Sequence, residues 1–493
     1  MKQTFFAHFC AGEKAEEFLP VIDRLRVAGI GAILDYAAES DVPQNKPAQS
    51  FSQAKEDLER QQAEMRRQQE EAEQRTRAEN GDIIHRQFSP KQEFKDRRMG
   101  VVSARTYFYE GEEECDNHMK LFEASIKDSA HRDKGFVAIK VTALGKPELL
   151  MRISEIILEI RRLFKKFENG RKEPNPYLDR KISHEDFLYT LQSLDNDLSA
   201  EETTALFHKM NISKTGFIDF VDWIESLTPN DETMQPFFSS AYKKGLLPSL
   251  NEEECHRMEA MVERLERLAE VAAQNEVRLL VDAEHTYFQP AIDHMVVNMQ
   301  RRYNKEKPIV FNTYQCYLND CFGRVAIDLE RAKRRDFKFA AKLVRGAYMI
   351  QERARALKYN YADPIQPNYE ATNQNYHRVM DLILANHERA DLMIATHNEK
   401  SILHAIQKMR EYNIPTDGGV YFGQLLGMCD HVSFTLGRHG YAVYKYVPYG
   451  PVKEVMPYLI RRAEENSDIL GGVQKERRML WEELKRRKFV FSA

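Results

Sequence analysis

The sequence predicts an α/β protein: a distorted (β/α)8 barrel of the TIM type with a helical, EF-hand-like insertion. Eight short apolar runs alternate with amphipathic stretches of helix length, which is the pattern of a parallel sheet covered by helices. Eight such units are the number found in a closed barrel. The runs span residues 28–36, 136–144, 277–284, 308–317, 339–348, 392–398, 420–428 and 442–450.

The runs have the same direction of change along the chain: each begins with apolar residues and ends with polar or charged ones. Lys140 follows the second strand, Asp282 the third, and Thr396 and His397 the sixth. The C-terminal ends of barrel strands meet at one face, where barrel enzymes place their chemistry, so these side chains are expected to converge. A doubly wound open sheet is the alternative, but no GxGxxG motif opens any of the predicted helices.

The composition is that of an ordinary globular protein, with 493 residues, 42% hydrophobic and 30% charged. Its 72 basic and 76 acidic residues leave a formal net charge of −4, so the chain lacks the excess of basic residues that is typical of proteins that bind nucleic acid. Six cysteines without a CxxC pair argue against a disulfide scaffold and against a structural zinc site. A run of about 18 apolar residues, as a membrane-spanning helix requires, is absent from the sequence.

The domain organisation follows from where apolar runs and helical stretches continue to alternate and where that alternation is interrupted. Residues 1–50 are expected to hold an N-terminal helix and the first strand, and residues 96–145 the second strand. Between them, residues 51–95 are rich in charged helix formers, which predicts a solvated helix or a disordered linker. Residues 146–250 form the insert, and residues 251–493 complete the barrel and add C-terminal helices. The N-terminus lacks signal-peptide and transit-peptide composition, so a targeting segment is either not used or already removed.

The insert has the sequence pattern of a helix–loop–helix over residues 197–227, and its loop over residues 211–222 partly fits the EF-hand calcium template. Asparagine replaces the usual first aspartate and aspartate replaces the bidentate glutamate, so only two carboxylates remain. A degenerate EF-hand pair kept for packing is therefore favoured over a calcium sensor. The weak candidate calcium ligands are Asn211, Ser213, Thr215, Asp219 and Asp222.

Two titratable residues at strand ends are candidates for chemistry. Lys140 lies between Ile139 and Val141, where an ammonium group is costly to bury alone. It is interpreted as a Schiff-base nucleophile, as a partner of Asp282 in holding an anionic substrate, or as a side chain that reaches solvent. His397 could serve as a base or a metal ligand, but no second histidine lies three or four residues away. A hydrogen-bonding role for His397 is therefore favoured.

Two other motifs suit the binding of an anionic or closely approaching ligand. Arg461 and Arg462 lie on an amphipathic stretch after the last run, and paired guanidinium groups bind carboxylates bidentately. A pair of surface charges is the alternative. Gly346 in KLVRGAY would permit the close approach of the backbone to a ligand.

Eight motifs, in their order along the chain, resemble the proline dehydrogenase (proline oxidase) family in its animal mitochondrial branch. They are IKVTAL, VDAEHTYFQPA, NTYQCYL, KLVRGAYMIQERARA, ATHNE, YFGQLLGM, YKYVPYGPV and PYLIRRAEEN. The resemblance covers residues 1–50 and 96–493 apart from the insert. It implies a barrel that binds FAD non-covalently over the strand C-termini. It also implies oxidation of L-proline to 1-pyrroline-5-carboxylate by hydride transfer to flavin N5, with the electrons passed to a quinone.

The resemblance also implies which residues form the site. The substrate residues would be Lys140, Asp282, Leu425, Tyr446, Arg461 and Arg462, with Glu39 as an acidic partner of Arg461. The flavin residues would be Gln315, Lys342, Arg345, Gly346, Tyr348, Thr396, His397 and Asn398. Lys342 stands where bacterial members often carry arginine near the reactive flavin nitrogen, so a cation is kept with a less fixed geometry.

Tyr446 separates the favoured function from its nearest alternative, hydroxyproline dehydrogenase. Relatives that oxidise hydroxyproline resemble this chain but carry a small residue there, so a bulky ring is expected to exclude the added hydroxyl. Two alternatives come from other classes: a flavin-free Schiff-base lyase that uses Lys140, and a calcium-responsive scaffold on an inactive barrel. The expected partners are L-proline, a ubiquinone-type acceptor and, by peripheral association, the matrix side of the mitochondrial inner membrane.

Overall fold

The structure is a computed structural model, and most of the chain is described in it. The described residues are 6–37, 111–130, 135–167, 181–193, 198–226, 235–245, 247–456, 458–460, 478–479, 481–482 and 484–486. The linker predicted over residues 51–95 lies outside them, as do Glu39, Arg461 and Arg462.

Eight parallel strands close into a barrel. The strands within the described residues are β1 (Ile30–Tyr36), β2 (Phe136–Ile139), β3 (Lys181–Ile182), β4 (Ile218–Asp219), β5 (Arg278–Val281), β6 (Val310–Gln315), β7 (Phe339–Val344), β8 (Ala390–Ala395), β9 (Val420–Leu425) and β10 (Val443–Tyr449). The barrel order is β1-β10-β9-β8-β7-β6-β5-β2, whereas β3 and β4 form a separate antiparallel pair. Each predicted apolar run contains one barrel strand, so the predicted (β/α)8 fold is confirmed.

Helices surround the barrel and build the insert. They are α1 (Ala7–Phe9), α2 (Ala15–Val27), α3 (Glu112–Ala130), α4 (Pro147–Phe167), α5 (His184–Ser193), α6 (Ala200–Met210), α7 (Phe220–Ser226), α8 (Gln235–Lys243), α9 (Glu252–Gln274), α10 (Gln289–Tyr303), α11 (Cys321–Arg334), α12 (Met349–Tyr359), α13 (Tyr369–Leu384), α14 (Glu399–Glu411) and α15 (Asp430–Arg438). Local sequence sets their starts: α9, for example, begins at a capping box in which Asn251 and Glu254 satisfy each other's backbone N–H groups. Within the described ranges, no helix is both long and apolar enough to cross a bilayer.

Aromatic side chains fill the N-terminal half of the barrel interior. The ring of Phe136 lies 5.4 Å from that of Phe311, 5.2 Å from Tyr421 and 4.9 Å from Tyr444, measured between centroids, with edge-to-face geometry. Such pairs pack favourably and leave no room for a ligand at this depth. The C-terminal half of the barrel is therefore the part that can accept one.

The insert has its own hydrophobic core, separate from that of the barrel. The C-terminal part of α4 contributes Phe164 and Phe167 to this core, and the fully buried Trp223 donates its indole N–H to the Ile160 carbonyl at 2.9 Å. The predicted helix–loop–helix is present as α6 and α7. Within the insert, β3 pairs with β4 by Lys181 with Asp219 and Ile182 with Ile218. The insert is thus a folded helical unit between β2 and β5.

Candidate active site

A cavity of about 310 Å³ opens at the C-terminal ends of the strands, and its volume lies in the usual range for small-molecule sites. Most of the residues predicted from sequence line this cavity. They are Lys140, Asp282, Gln315, Lys342, Arg345, Gly346, Tyr348, Thr396, His397, Leu425 and Tyr446. Residues scattered over some 300 positions of the chain are therefore brought together, as the strand-end polarity predicted.

Asp282 is the centre of the polar contacts in the cavity. Ile139 pairs with Val281 across β2 and β5, so Lys140 and Asp282 follow at adjacent strand ends. The Lys140 Nζ lies 3.2 Å from Asp282 Oδ2, and Lys342 Nζ donates to Oδ1. The Tyr446 hydroxyl donates to Oδ2 at 3.3 Å. The structure thus pairs Lys140 with Asp282, and a role of the pair in holding a substrate stays a prediction.

The two lysines keep the Asp282 carboxylate charged. Burial alone would raise its pKa, but Lys342 and Lys140 outweigh burial and lower the pKa to about 2. Burial and the Asp282 charge raise the pKa of Tyr446 well above its usual value. The phenol of Tyr446 is consequently a neutral hydrogen-bond donor at physiological pH.

Arg345 is held rigidly at the rim of the cavity. Its Nη1 donates to Thr396 Oγ1 at 2.6 Å, and its Nε and Nη2 donate to Asn373 Oδ1 at 2.9 and 2.8 Å. Its Nη2 also donates to Ser401 Oγ at 2.9 Å, and its guanidinium lies 4.6 Å from the Tyr376 ring centroid. Because these contacts fix the guanidinium plane, the charge is presented to the cavity in one orientation.

His397 and Asn398 have roles that the local hydrogen bonds define. The His397 Nε2 accepts the Leu425 backbone N–H at 3.0 Å, so this nitrogen carries no proton and holds the loop after β9. This contact confirms the hydrogen-bonding interpretation of His397. The Asn398 Oδ1 accepts the Ser401 N–H at 3.2 Å and caps α14, while its side-chain amide donates to the Tyr369 hydroxyl. A flavin contact by Asn398 stays a prediction.

Position 346 requires glycine for two reasons, its backbone conformation and a side chain that lies close to it. Its φ of +142° is one that residues with a Cβ rarely adopt. A Cβ built at this position would lie 2.4 Å from the Tyr317 ring. Glycine here lets the loop after β7 pass over Tyr317 while its backbone lines the cavity.

Sequence reasoning missed several residues of the cavity wall, among them Asp35 and Tyr458. Asp35 is 7% exposed near the end of β1, and its charge contributes to the raised pKa of Tyr446. A signal was present, because Asp35 is the one charged residue inside the first apolar run. The family resemblance named Glu39 after that run as a partner of Arg461, and this assignment stays a prediction.

Glu284, two residues after Asp282 in the chain, is a completely buried acidic residue. Its carboxylate accepts the Thr142 backbone N–H at 3.1 Å and the Thr142 hydroxyl at 2.8 Å. Burial raises its pKa from 4.5 to about 7, although these bonds and Lys140 act in the opposite direction. The folded protein therefore holds the Glu284 proton to a higher pH than the unfolded chain does.

The raised pKa predicts how stability depends on pH. Between pH 4.5 and about 7 the folded state binds more protons at Glu284 than the unfolded state, so the free energy of unfolding falls as pH rises through this window. The loss amounts to about 3 kcal/mol. Glu284→Gln, which stays neutral, should gain stability relative to wild type between pH 5 and pH 8. Urea denaturation at both pH values measures this, and a pH-independent difference would contradict it.

The loop proposed as a weak calcium site is occupied by an arginine of the barrel. Arg334, the last residue of α11, donates from Nη1 and Nη2 to both carboxylate oxygens of Asp219 at 2.7 Å, and from Nη1 to Asp222 at 2.8 Å. The Ser213 hydroxyl donates to Asp222 at 2.6 Å. Among the residues that the structure describes, no cluster of three or more His, Cys, Asp or Glu side chains could hold a metal ion. The carboxylates of this loop therefore bind the guanidinium group of Arg334.

The chain matches known proteins along nearly its whole length. A family model described as Proline dehydrogenase matches residues 18–475. Over 502 residues the chain is 43% identical to the Homo sapiens protein named Proline dehydrogenase 1, mitochondrial, with 99% of this chain and 80% of that one covered. The Caenorhabditis elegans protein of the same name is 40% identical over 499 residues, covering 99% of this chain and 79% of that one.

Two other matches are more limited. Hydroxyproline dehydrogenase of Xenopus laevis is 50% identical over 252 residues, covering 50% of this chain and 54% of that protein. A solved structure of proline utilization A (PutA) from Bdellovibrio bacteriovorus, inactivated by N-propargylglycine, superposes with a TM-score of 0.53 at 16% identity. It covers 94% of this chain and 33% of that one, and it supports the fold alone. By the family match and the full-length relatives, the chain belongs to the proline dehydrogenase family.

Proposed function

We infer that this chain is an FAD-dependent proline dehydrogenase that oxidises L-proline to 1-pyrroline-5-carboxylate. The observation that carries this proposal is the convergence of Lys140, Asp282 and Tyr446 with the flavin residues on one cavity, in a member of this family. A charged carboxylate, two ammonium groups and a neutral phenol suit a small substrate that carries both an amine and a carboxylate.

The residues that line the cavity fit a flavin. Lys342 and the fixed guanidinium of Arg345 present positive charge, and Gly346 leaves its backbone open to the cavity beside Tyr348. These groups would hold the polar edge of the flavin ring by hydrogen bonds and charge. When bound, FAD would supply the acceptor for the hydride of proline C5, which is redox chemistry that side chains cannot supply.

The chain's own residues bind and orient the substrate. From the family resemblance, we assign the binding of the proline carboxylate to Arg461 and Arg462 and the role of acidic partner of Arg461 to Glu39. The positive charge of Lys140 favours the neutral substrate amine. The nitrogen lone pair of that amine then forms the C=N bond as the hydride leaves C5. Tyr446 covers the substrate ring, and its hydroxyl is held by Asp282. Fixed positions of this kind lower the barrier by orienting the reacting atoms.

The two alternatives from other classes are disfavoured by specific contacts. A Schiff-base lyase needs an unprotonated Lys140, whereas the Asp282 carboxylate at 3.2 Å favours the ammonium form. A calcium-responsive scaffold needs Asp219 and Asp222 as metal ligands, whereas both accept hydrogen bonds from Arg334.

The choice of proline over hydroxyproline can be tested at Tyr446. Its ring fills one wall of the cavity, with its centroid 5.9 Å from the Lys342 Nζ. Tyr446→Ser removes the ring beside substrate carbon 4 and makes room for a hydroxyl. We expect the ratio of kcat/KM for hydroxyproline to kcat/KM for proline to rise about tenfold, as for the removal of one steric conflict in a pocket.

Tyr446→Phe is the matched control, because it keeps the ring and loses only the hydroxyl. The hydroxyproline-to-proline ratio of this variant should equal that of wild type. If Tyr446→Ser also leaves the ratio unchanged, the ring does not set the specificity.

The chain is mitochondrial, as are the relatives that it matches along nearly its whole length. We propose that its electrons pass to a ubiquinone-type acceptor and that it contacts the matrix side of the inner membrane peripherally. Exposed apolar residues near the C-terminus support this contact: Trp481 is 59% and Leu484 52% exposed, close to Lys485. Apolar and basic residues together are typical of segments that bind an anionic membrane surface.

The proposed activity is tested by turnover. The protein, with FAD, L-proline and a soluble quinone analogue, should form 1-pyrroline-5-carboxylate, which o-aminobenzaldehyde traps as a coloured adduct. Protein with FAD but without proline is the control. Failure to form this product, with FAD bound, would refute the proposal.

A further inference from the structure

Two loops that carry cavity residues are joined by one buried carboxylate. The loop over residues 282–288 follows β5 and carries Asp282, and the loop over residues 345–348 follows β7 and carries Tyr348. Glu352 lies on α12, one helical turn after Tyr348, and its relative exposure is 0%. The carboxylate thus lies between two segments that are far apart in the sequence.

Both oxygens of Glu352 contact the first loop. Its Oε1 accepts the Thr286 backbone N–H at 2.8 Å, and its Oε2 accepts the Thr286 hydroxyl at 2.6 Å. The His285 Nδ1 lies 3.4 Å from Oε1. Hydrogen bonds to a buried carboxylate are strong. Removal of the Glu352 carboxylate would leave the N–H and hydroxyl of Thr286 buried without this acceptor.

The contacts continue through His285 to the cavity wall. The His285 ring centroid lies 4.1 Å from that of Tyr348 and 4.9 Å from that of Tyr287, so the imidazole packs against both phenol rings. Tyr348 lines the cavity, whereas Glu352 and Thr286 stand behind the wall that the described residues form. Glu352 can therefore act on a ligand only through its neighbours.

We propose that Glu352 is a positioning residue, whose carboxylate fixes the Asp282 loop and the contact between the His285 and Tyr348 rings in the geometry that binds flavin and proline. This inference rests on the proposed function. It assigns Glu352 an effect on the binding of cofactor and substrate and leaves the chemical step to the residues of the cavity.

The test compares Glu352→Ala, Glu352→Gln and the milder Thr286→Val with wild type. FAD affinity is measured by quenching of FAD fluorescence on binding to apoprotein, and kcat and KM for L-proline are measured at saturating FAD. Glu352→Ala should weaken FAD binding and raise KM about tenfold, while kcat stays within about threefold of wild type. Glu352→Gln, which keeps an acceptor for the Thr286 N–H, should be intermediate, and Thr286→Val should change the same quantities by a smaller factor.

Glu225→Gln is the control for stability, because Glu225 is a buried carboxylate of the insert that contacts Arg331 and Arg335. It should lower Tm without changing FAD affinity. If all Glu352 and Thr286 variants that fold bind FAD and proline as wild type does, the inference is wrong and the proposed function stands. A fall in kcat with unchanged binding would also overturn it. If wild type itself neither binds FAD nor oxidises proline, the proposed function fails and the inference fails with it.

Discussion

Asp282→Asn is expected to lower kcat/KM for L-proline by about 100-fold. The substitution removes the charge that pairs with Lys140 and Lys342, while the Tyr446 hydroxyl loses its carboxylate acceptor. Hydrogen bonds to a charged group contribute about 1.5–3 kcal/mol each, and the loss of two corresponds to about 3 kcal/mol or two orders of magnitude in rate. Steady-state kinetics at saturating FAD measures the effect.

Asp391→Asn is the matched control for this prediction. Asp391 lies near the start of β8, at the opposite end of the barrel, where it accepts the Tyr421 hydroxyl at 2.8 Å and burial raises its pKa to about 6. Its replacement should leave kcat/KM within about threefold of wild type, because no charge pair at the cavity changes. Equal losses in the two variants would mean that Asp282 acts through stability alone.

Arg334→Ala is expected to lower the free energy of unfolding by about 3 kcal/mol. Arg334 is 17% exposed and binds Asp219 and the fully buried Asp222, so its removal leaves two carboxylates of the insert without their cation. The loss of one partner from a buried ion pair is strongly destabilising. Calcium should not replace it in wild type: Tm with 1 mM Ca²⁺ should match Tm with EDTA, since an ion that binds the native state would raise Tm.

Arg267→Ala provides the surface control for the Arg334 prediction. Arg267 is 48% exposed and also pairs with two acidic residues, Glu123 and Glu270. Exposed pairs of this kind contribute about 0–1 kcal/mol, so this variant should unfold close to wild type. Equal destabilisation by the two arginine variants, or a rise of several degrees in wild-type Tm with calcium, would contradict the role of Arg334 as the cation that pairs with Asp219 and Asp222.

The barrel could be predicted because its strands are buried on both faces. Every residue of β2 is buried, so this strand appears in the sequence as a continuous apolar run, FVAI. The pairing of Lys140 with Asp282 was also predictable, because consecutive barrel strands place their end residues side by side. Local pattern and fold topology together were sufficient for this part of the site.

Contacts between distant segments could not be predicted in the same way. Arg334 is 112 residues from Asp222, and Glu352 is 66 residues from Thr286. In each case the contact depends on how a helix packs against a loop that is distant in the sequence. The hydrophobic periodicity of the sequence carries no information about such packing. Asp35 is a different case, because its charge inside an apolar run was visible in the sequence.

The central claim is that this cavity binds a flavin that L-proline reduces. The most direct measurement is the absorbance spectrum of the purified protein, reconstituted with FAD if needed, before and after L-proline is added without oxygen. We predict flavin bands that bleach with L-proline and bleach less with hydroxyproline. A colourless protein that FAD cannot reconstitute, or bands that bleach mainly with hydroxyproline, would contradict the proposed function.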